Sequence, residues 1–211
     1  MNPTAAASAR AQGLLDRTRH ELHARLARGQ GFWVFAYASL LWRPESEPAE
    51  IRPARVWGHH RALRMRSRTN RGTPERPGLV FALLPGGSCV GQAHRMPDDG
   101  DPDRRLDALW AREMPGASYD PRWLTCRTPG GPVEALAFTL PAASPSLMPR
   151  LDEAALLDIL RHARGRYGTT LDYLLRTARR LDELGIGDAE VSRLVRLALR
   201  HGLAPGDLAG R

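Results

Sequence analysis

The segment Phe32-Trp33-Val34-Phe35-Ala36-Tyr37-Ala38-Ser39-Leu40 reads as a strand from Phe32 to Tyr37 that leaves the sheet through small residues. Small side chains around one Tyr and one Ser let a ligand approach backbone N–H groups. Such groups can hold a carboxylate or a developing oxyanion. An ordinary strand end with Tyr37 in the core accounts for the same residues. Ser39 has no His and Asp near it in sequence, which argues against a serine nucleophile.

Upstream of this strand, residues 6–28 have an amphipathic helical pattern with Leu14, Leu15, Leu22 and Leu26 as the apolar stripe, ended by Gly29 and Gly31. The helix contains His20-Glu21-Leu22-His23, one residue short of the zincin HExxH, and reads as a solvated face. Downstream, a Pro/Glu-rich loop runs from Arg43 to Pro53. Residues 55–68 then alternate as one long strand, with a bulge expected near Gly58. Residues 79–84 and 88–96 read as two strands joined by a turn at Pro85-Gly86-Gly87. A helix is expected over 102–113, then strands over 122–128 and 133–140 joined at Pro129-Gly130-Gly131. A Pro/Ser-rich linker at 141–149 leads to helices over 151–163, 169–184 and 188–201, the last with Asp188 as its N-cap. About six strands with one helix among them, closed by helices, make an α+β pattern: a curled or barrel-like sheet with helices at one side.

Composition narrows the function. The 211 residues suit one domain with a helical extension. No stretch approaches ~20 consecutive apolar residues, so no membrane partner is expected. The start of the chain does not read as a signal peptide. Two cysteines, Cys89 and Cys126, form no CxxC pair, and no Cys/His cluster has metal spacing, so no metal or cofactor is expected. A reducing cytoplasm fits best. The net charge of +8 raises the question of nucleic acid. Yet all 31 basic residues are arginine, and Ala, Gly and Pro are abundant, as a GC-rich genome produces without selection for a polyanion. A solvated basic surface is the expectation, with no nucleic-acid partner.

Glu113 is the sharpest chemical signal. Its helix opens with Asp101 as N-cap and Pro102 at the first turn. Leu106, Leu109, Trp110 and Glu113 then fall at i, i+3, i+4 and i+7, so a carboxylate ends an apolar stripe that faces the core. Desolvation and the negative end of the helix dipole both raise a carboxylate's pKa. A general base or proton shuttle near neutral pH requires such a group. The plainer alternative is a boundary Glu paired with Arg112 or Arg122. Arg64, Arg66 and Arg68 alternate on one strand face and read as a solvated, charge-protected edge. His59 and His60 are adjacent and point to opposite faces, so they share no metal.

These landmarks resemble the ChaC family of glutathione-specific γ-glutamylcyclotransferases over about Phe32 to Leu194. Trp33-Val34-Phe35-Ala36-Tyr37-Ala38-Ser39-Leu40-Leu41-Trp42-Arg43-Pro44 resembles the family's W-V-F-G-Y-G-S-L-x-W-x-P. Arg71-Gly72 followed by Pro77-Gly78 matches the next signature. Gly91-Gln92-Ala93-His94-Arg95 resembles G-V-A-Y-R. Leu109-Trp110-Ala111-Arg112-Glu113-Met114 resembles W-x-R-E-M, with Tyr119 following at the expected distance. Gly168-Thr169-Thr170-Leu171-Asp172-Tyr173-Leu174 resembles G-T-N-x-x-Y-L. Five weak matches in order, at similar spacing, make a specific one.

The resemblance implies a γ-glutamylcyclotransferase-like small mixed β-barrel with flanking helices, over 31–205, behind an N-terminal helical extension at 1–30. It implies a lyase that cyclises the γ-glutamyl group of glutathione to 5-oxoproline and releases Cys-Gly, without cofactor. Glu113 falls on the family's catalytic residue. Val34, Phe35, Ala36, Tyr37, Ala38, Ser39 and Leu40 fall on the loop that holds the γ-glutamyl group, and Tyr37, Tyr119 and Tyr173 are candidates to line the pocket. Ala36 and Ala38 stand where the family has glycine. If either site needs φ > 0, alanine there costs on the order of 1 kcal/mol, and its methyl narrows the pocket. Thr170 stands for an Asn and His94 for a Tyr. A cyclotransferase for other γ-glutamyl amines or amino acids, or a non-catalytic ligand-binding homologue, would keep the same residues.

Overall fold

The computed structural model describes residues 3–115 and 118–204. The expected domain limits at residues 1 and 205 lie outside them. The elements run α1 (Pro3–Leu26), β1 (Trp33–Ala36), α2 (Ser39–Trp42), β2 (Glu50–Ser67), β3 (Gly78–Arg95), α3 (Pro102–Glu113), β4 (Asp120–Cys126), β5 (Val133–Thr139), α4 (Glu153–His162), β6 (Arg164–Gly165), β7 (Gly168–Thr169), α5 (Thr170–Glu183) and α6 (Ala189–Arg200). Two compact units divide them: Met1–His60 with Leu83–Ser144, and Arg61–Ala82 with Pro145–Arg211. The α+β reading holds.

Five strands form one mixed sheet in the order β2-β3-β1-β5-β4. In the first unit β1 lies antiparallel to β3 and parallel to β5. Because β1 has only four residues, its two neighbours meet past its end, where Leu83 of β3 pairs with Thr139 of β5. At the far edges, Arg55 of β2 and Arg127 after β4 exchange both backbone hydrogen bonds, each at 2.9 Å. The sheet thereby closes on itself at that level, as the barrel reading requires. Gly91 makes the β1–β3 contact possible. A Cβ there would lie 2.2 Å from the Ala36 carbonyl oxygen and 3.2 Å from the Phe35 ring.

Pro85-Gly86-Gly87 does not turn the chain back, and the two expected strands 79–84 and 88–96 are one strand, β3. Gly86 and Gly87 do take positive φ, 97° and 70°. They kink a continuing strand, and the His60 ring Nδ1 lies 3.0 Å from the Gly86 carbonyl. β2 also begins earlier than expected, at Glu50, because Pro53 is tolerated in an edge strand.

The N-terminal helix α1 buries Leu14, Thr18 and Leu22, while Leu15 and Leu26 are half-buried. It packs on the first unit through charge and stacking. Arg19 pairs with Asp103 at 3.2 Å and Asp107 at 2.5 Å, and the Arg25 guanidinium sits 4.2 Å from the Trp123 ring centre. His23 of the HELH stretch lies 3.0 Å from Asp103.

In the second unit the close approach is at Gly72 and Gly78. A Cβ on Gly72 would meet the Gly78 nitrogen at 2.0 Å, and one on Gly78 the Arg71 oxygen at 2.1 Å. Thr170, fully buried, accepts from the Leu79 N–H at 3.0 Å, so the hydroxyl does structural work where the family has Asn. The α5 start is fixed by a reciprocal capping box between Thr169 and Asp172. Arg64 and Arg66 are not a free solvated edge. Arg64 donates to the Met148 carbonyl at 2.9 Å, and the Arg66 backbone N–H donates to Ser146, so they hold the 145–148 linker.

Candidate active site

Helix α3 places Glu113. The Asp101 side chain accepts from the Arg104 N–H at 2.9 Å and starts the helix, with Pro102 in the first turn. Leu106, Leu109 and Trp110 are buried, so the expected stripe faces the core and carries Glu113 inward at its last turn. The Glu113 side chain is 15% exposed.

Register sorts the strand residues by face. Residues directly opposite one another in a sheet share a face. Val34 pairs with His94 and with Leu136, and Ala36 pairs with Gln92. Val34, Ala36, Gln92, His94, Leu136 and, two residues on, Phe138 therefore line one face. Trp33, Phe35, Ala93 and Ala135 line the other. Helix α3 packs on the first face, because the Trp110 ring meets the Phe138 ring edge-on at 6.4 Å.

Phe138 links three of the elements that carry the candidate residues. Its ring also meets Tyr119 at 6.2 Å, and its carbonyl accepts from the Tyr37 hydroxyl at 3.0 Å. One residue thus joins the last turn of α3, the approach to β4 and the exit of β1. Tyr37 and Phe35 stack at 6.2 Å. The structure brings Glu113, Val34 to Leu40 and Tyr119 into the first unit. Tyr173 belongs to the second, where its ring lies 5.7 Å from Phe81, under the Arg71 guanidinium, and its hydroxyl accepts from the Phe81 N–H at 3.3 Å.

The β1 exit is not an open loop but a helical turn, α2, with Ala38 as its N-cap. Ala38 has φ −144°, and Ala36 lies within β1, so neither alanine occupies the left-handed region. The strain that Ala in place of Gly would carry at φ > 0 does not arise. Val34, Phe35, Ala36, Tyr37, Ala38 and Leu40 are all buried, and Ser39 is half-buried. Among the described residues no side chain caps α2, and the first N–H groups of a helix have no partner inside it.

The electrostatics centre on three groups. The Arg112 Nε–H donates to Glu113 Oε1 at 3.0 Å, while its Nη1 lies 3.7 Å from Glu45 Oε2. Arg122 is engaged elsewhere, with Asp120 at 2.9 Å. Burial pushes the Glu113 carboxyl above the usual glutamate range. The charge and hydrogen bond of Arg112 oppose that rise, and Glu45 adds to it. The pairing with Arg112 that the plainer reading expected is therefore present, and it does not neutralise the burial. Glu45 and Phe138 had no signal in the sequence. Glu45 sits in a loop with no periodicity, and Phe138 looks like any strand aromatic. Among the described residues, no group of three or more His, Cys, Asp or Glu is placed to hold a metal ion.

In the first unit, then, a carboxylate whose pKa burial raises lies at the end of α3, and α3 packs on the sheet that β1 leaves through α2. The chain belongs to the ChaC-like family, whose model, described as ChaC-like protein, matches residues 32–200. It is similar to the glutathione-specific gamma-glutamylcyclotransferase of Escherichia coli K12, at 32% identity over 77% of this chain and 71% of that protein. It is also similar to human glutathione-specific gamma-glutamylcyclotransferase 1, at 30% identity over 71% and 69%. A crystal structure of the gamma-glutamylcyclotransferase specific to glutathione from yeast shares the fold, with TM-score 0.71 at 16% identity, covering 82% of this chain and 97% of that one.

Proposed function

We propose that this protein degrades glutathione by cyclising its γ-glutamyl group, releasing 5-oxoproline and Cys-Gly, with Glu113 as the proton-transfer residue. The family membership and the names of the relatives support the reaction. The observation that carries the residue assignment is a carboxylate 15% exposed, raised in pKa by burial, at the end of α3.

The γ-glutamyl group brings its own nucleophile, the α-amine, which is mostly protonated at neutral pH. The neutral fraction of the amine attacks the γ-carbonyl carbon, and ionised Glu113 takes the proton that this nitrogen sheds as the five-membered lactam closes. Glu113 passes that proton to the cysteinyl nitrogen as its bond to the γ-carbon breaks. Intramolecular attack carries a large effective concentration, so the protein need only fold the substrate and move one proton. We assign the backbone N–H groups of Tyr37 to Leu40 to the α-carboxylate or the oxyanion. Tyr37 and Tyr119 shape the wall through Phe138, and Tyr173 is a further lining candidate by motif. We read 31–205 as the catalytic domain and 1–30 as an extension. No helix among the described residues is long and apolar enough to cross a membrane, and two buried cysteines with no disulfide between them fit a reducing cytoplasm.

The test is 5-oxoproline release from glutathione, with γ-glutamyl-alanine as comparator. Glu113→Gln is expected to lose about 10²–10⁴-fold in kcat while remaining folded. Near-normal Cys-Gly release by that variant would refute the assignment.

A further inference from the structure

Arg112 stands between two carboxylates, with a hydrogen bond to one and a looser ion pair to the other. Toward Glu113 it offers the single Nε–H, at 3.0 Å. Its terminal Nη1 is turned to Glu45, at 3.7 Å. All three side chains are largely covered, with 20%, 15% and 28% exposure for Arg112, Glu113 and Glu45. Adjacent residues on a helix do not face each other, so Arg112 reaches Glu113 sideways through Nε, and its terminal Nη1 is left to Glu45.

Glu45 is held in place by the same helix. Arg105 lies two turns before Arg112 and so on the same helical face. Its Nη1 donates to the Ser46 hydroxyl at 3.4 Å. The Ala49 N–H donates to the Arg95 carbonyl at 2.9 Å, which ties the loop to the end of β3. Two arginines of α3 therefore clamp the 43–49 loop, one at Ser46 and one at Glu45.

We propose that Glu45 is a positioning residue for Glu113 that acts through Arg112. By taking the terminal nitrogen it turns the guanidinium fork aside, and Glu113 is left oriented by one bond instead of locked in a two-bond pair. This rests on the reading of Glu113 as the proton-transfer residue. A bidentate Arg–carboxylate pair would hold Glu113 ionised and occupy its lone pairs. Burial with no cation nearby would hold it protonated. The divided guanidinium gives an intermediate state, in which the carboxylate is aimed and still free to accept and return a proton.

The charged groups bearing on Glu113 are Arg112 from its own helix and Glu45 from the loop. Helix α1, also packed on α3, meets it through Arg19 and His23 at Asp103 and Asp107, in the first two turns. Asp120 at the head of β4 is engaged by Arg122.

The test compares wild type, Glu45→Gln and Arg112→Met by two readouts. One is the pH dependence of kcat for 5-oxoproline release. The other is the carboxyl ¹³C NMR titration of Glu113, assigned by its loss in Glu113→Gln. Glu45→Gln is expected to move both the acid limb and the Glu113 midpoint to lower pH, because the whole guanidinium then turns to Glu113. Arg112→Met is expected to move both upward. A Glu113 midpoint that stays put or rises in Glu45→Gln overturns the inference, whatever happens to activity. A midpoint that moves down while the acid limb does not supports the coupling and overturns the role of Glu113 in turnover.

Discussion

Two arginine–carboxylate pairs, Arg61–Asp188 in the second unit and Arg112–Glu113 in the first, are built differently. In the second unit the Arg61 side chain is fully buried and pairs with Asp188. Asp188 is also the N-cap of α6 and accepts from the Val191 N–H at 3.0 Å. One of its oxygens takes the guanidinium and the other the helix start. In the first unit Glu113 receives a single hydrogen bond from Arg112 among the described residues, and Arg112 is shared with Glu45. A carboxylate whose oxygens are both claimed fixes a helix on a strand. One with spare acceptor capacity in a desolvated place can handle protons.

The contrast can be broken by exchanging the effects. Glu113→Gln should give the largest change, the 10²–10⁴-fold loss of turnover stated above, with little loss of stability. Asp188→Ala should do the reverse. It strips a counter-charge from buried Arg61 and removes a helix cap, so a loss of about 3 kcal/mol is expected by urea unfolding. Below its lowered melting temperature that variant should still release 5-oxoproline. If Asp188→Ala were as stable as wild type, the two pairs would not differ in the way described.

A smaller effect sharpens the comparison. Burial raises the Glu113 pKa in the folded state above its unfolded value. The proton-linked stability from this group is fully present below the unfolded pKa and is lost as pH rises through the folded pKa. Gln has no such dependence. Glu113→Gln should therefore gain melting temperature relative to wild type as pH increases through that window, and the gain should shrink towards acid pH. Scanning calorimetry at several pH values reads it, and a difference that falls as pH rises contradicts a desolvated Glu113.

Much of this was legible in the residues. Both ends of helix 102–113 are legible, because Asp101 and Pro102 mark its start and the i, i+3, i+4, i+7 stripe marks its buried face. Asp188 is legible as a cap for the same reason: capping chemistry is local. The misreading at Pro85-Gly86-Gly87 has a physical cause. Glycine reports a backbone conformation, here positive φ, and the same conformation serves a turn or a kinked strand. Only the pairing partners decide which, and those are distant in sequence. Glu45 was invisible for a similar reason. Its role depends on the direction of the Arg112 fork, which no spacing rule contains. Arg64 and Arg66 looked like a solvated edge because the linker carbonyls they hold lie about eighty residues away, at Ser146 and Met148.

The backbone exchange between Arg55 and Arg127 has a consequence for handling the protein. Unpaired strand edges invite pairing with a second molecule, and they are the usual seeds of aggregation. Here the rim of β2 that would offer such a template is already occupied at Arg55 by the chain's own segment. Trp57, 60% exposed, lies two residues further along β2, with Arg55 stacked on it at 5.4 Å. A large aromatic on the surface would ordinarily be a sticky spot in a concentrated solution. With the Arg55 amide taken and its guanidinium laid over the indole, that stretch offers a neighbouring molecule less to grip.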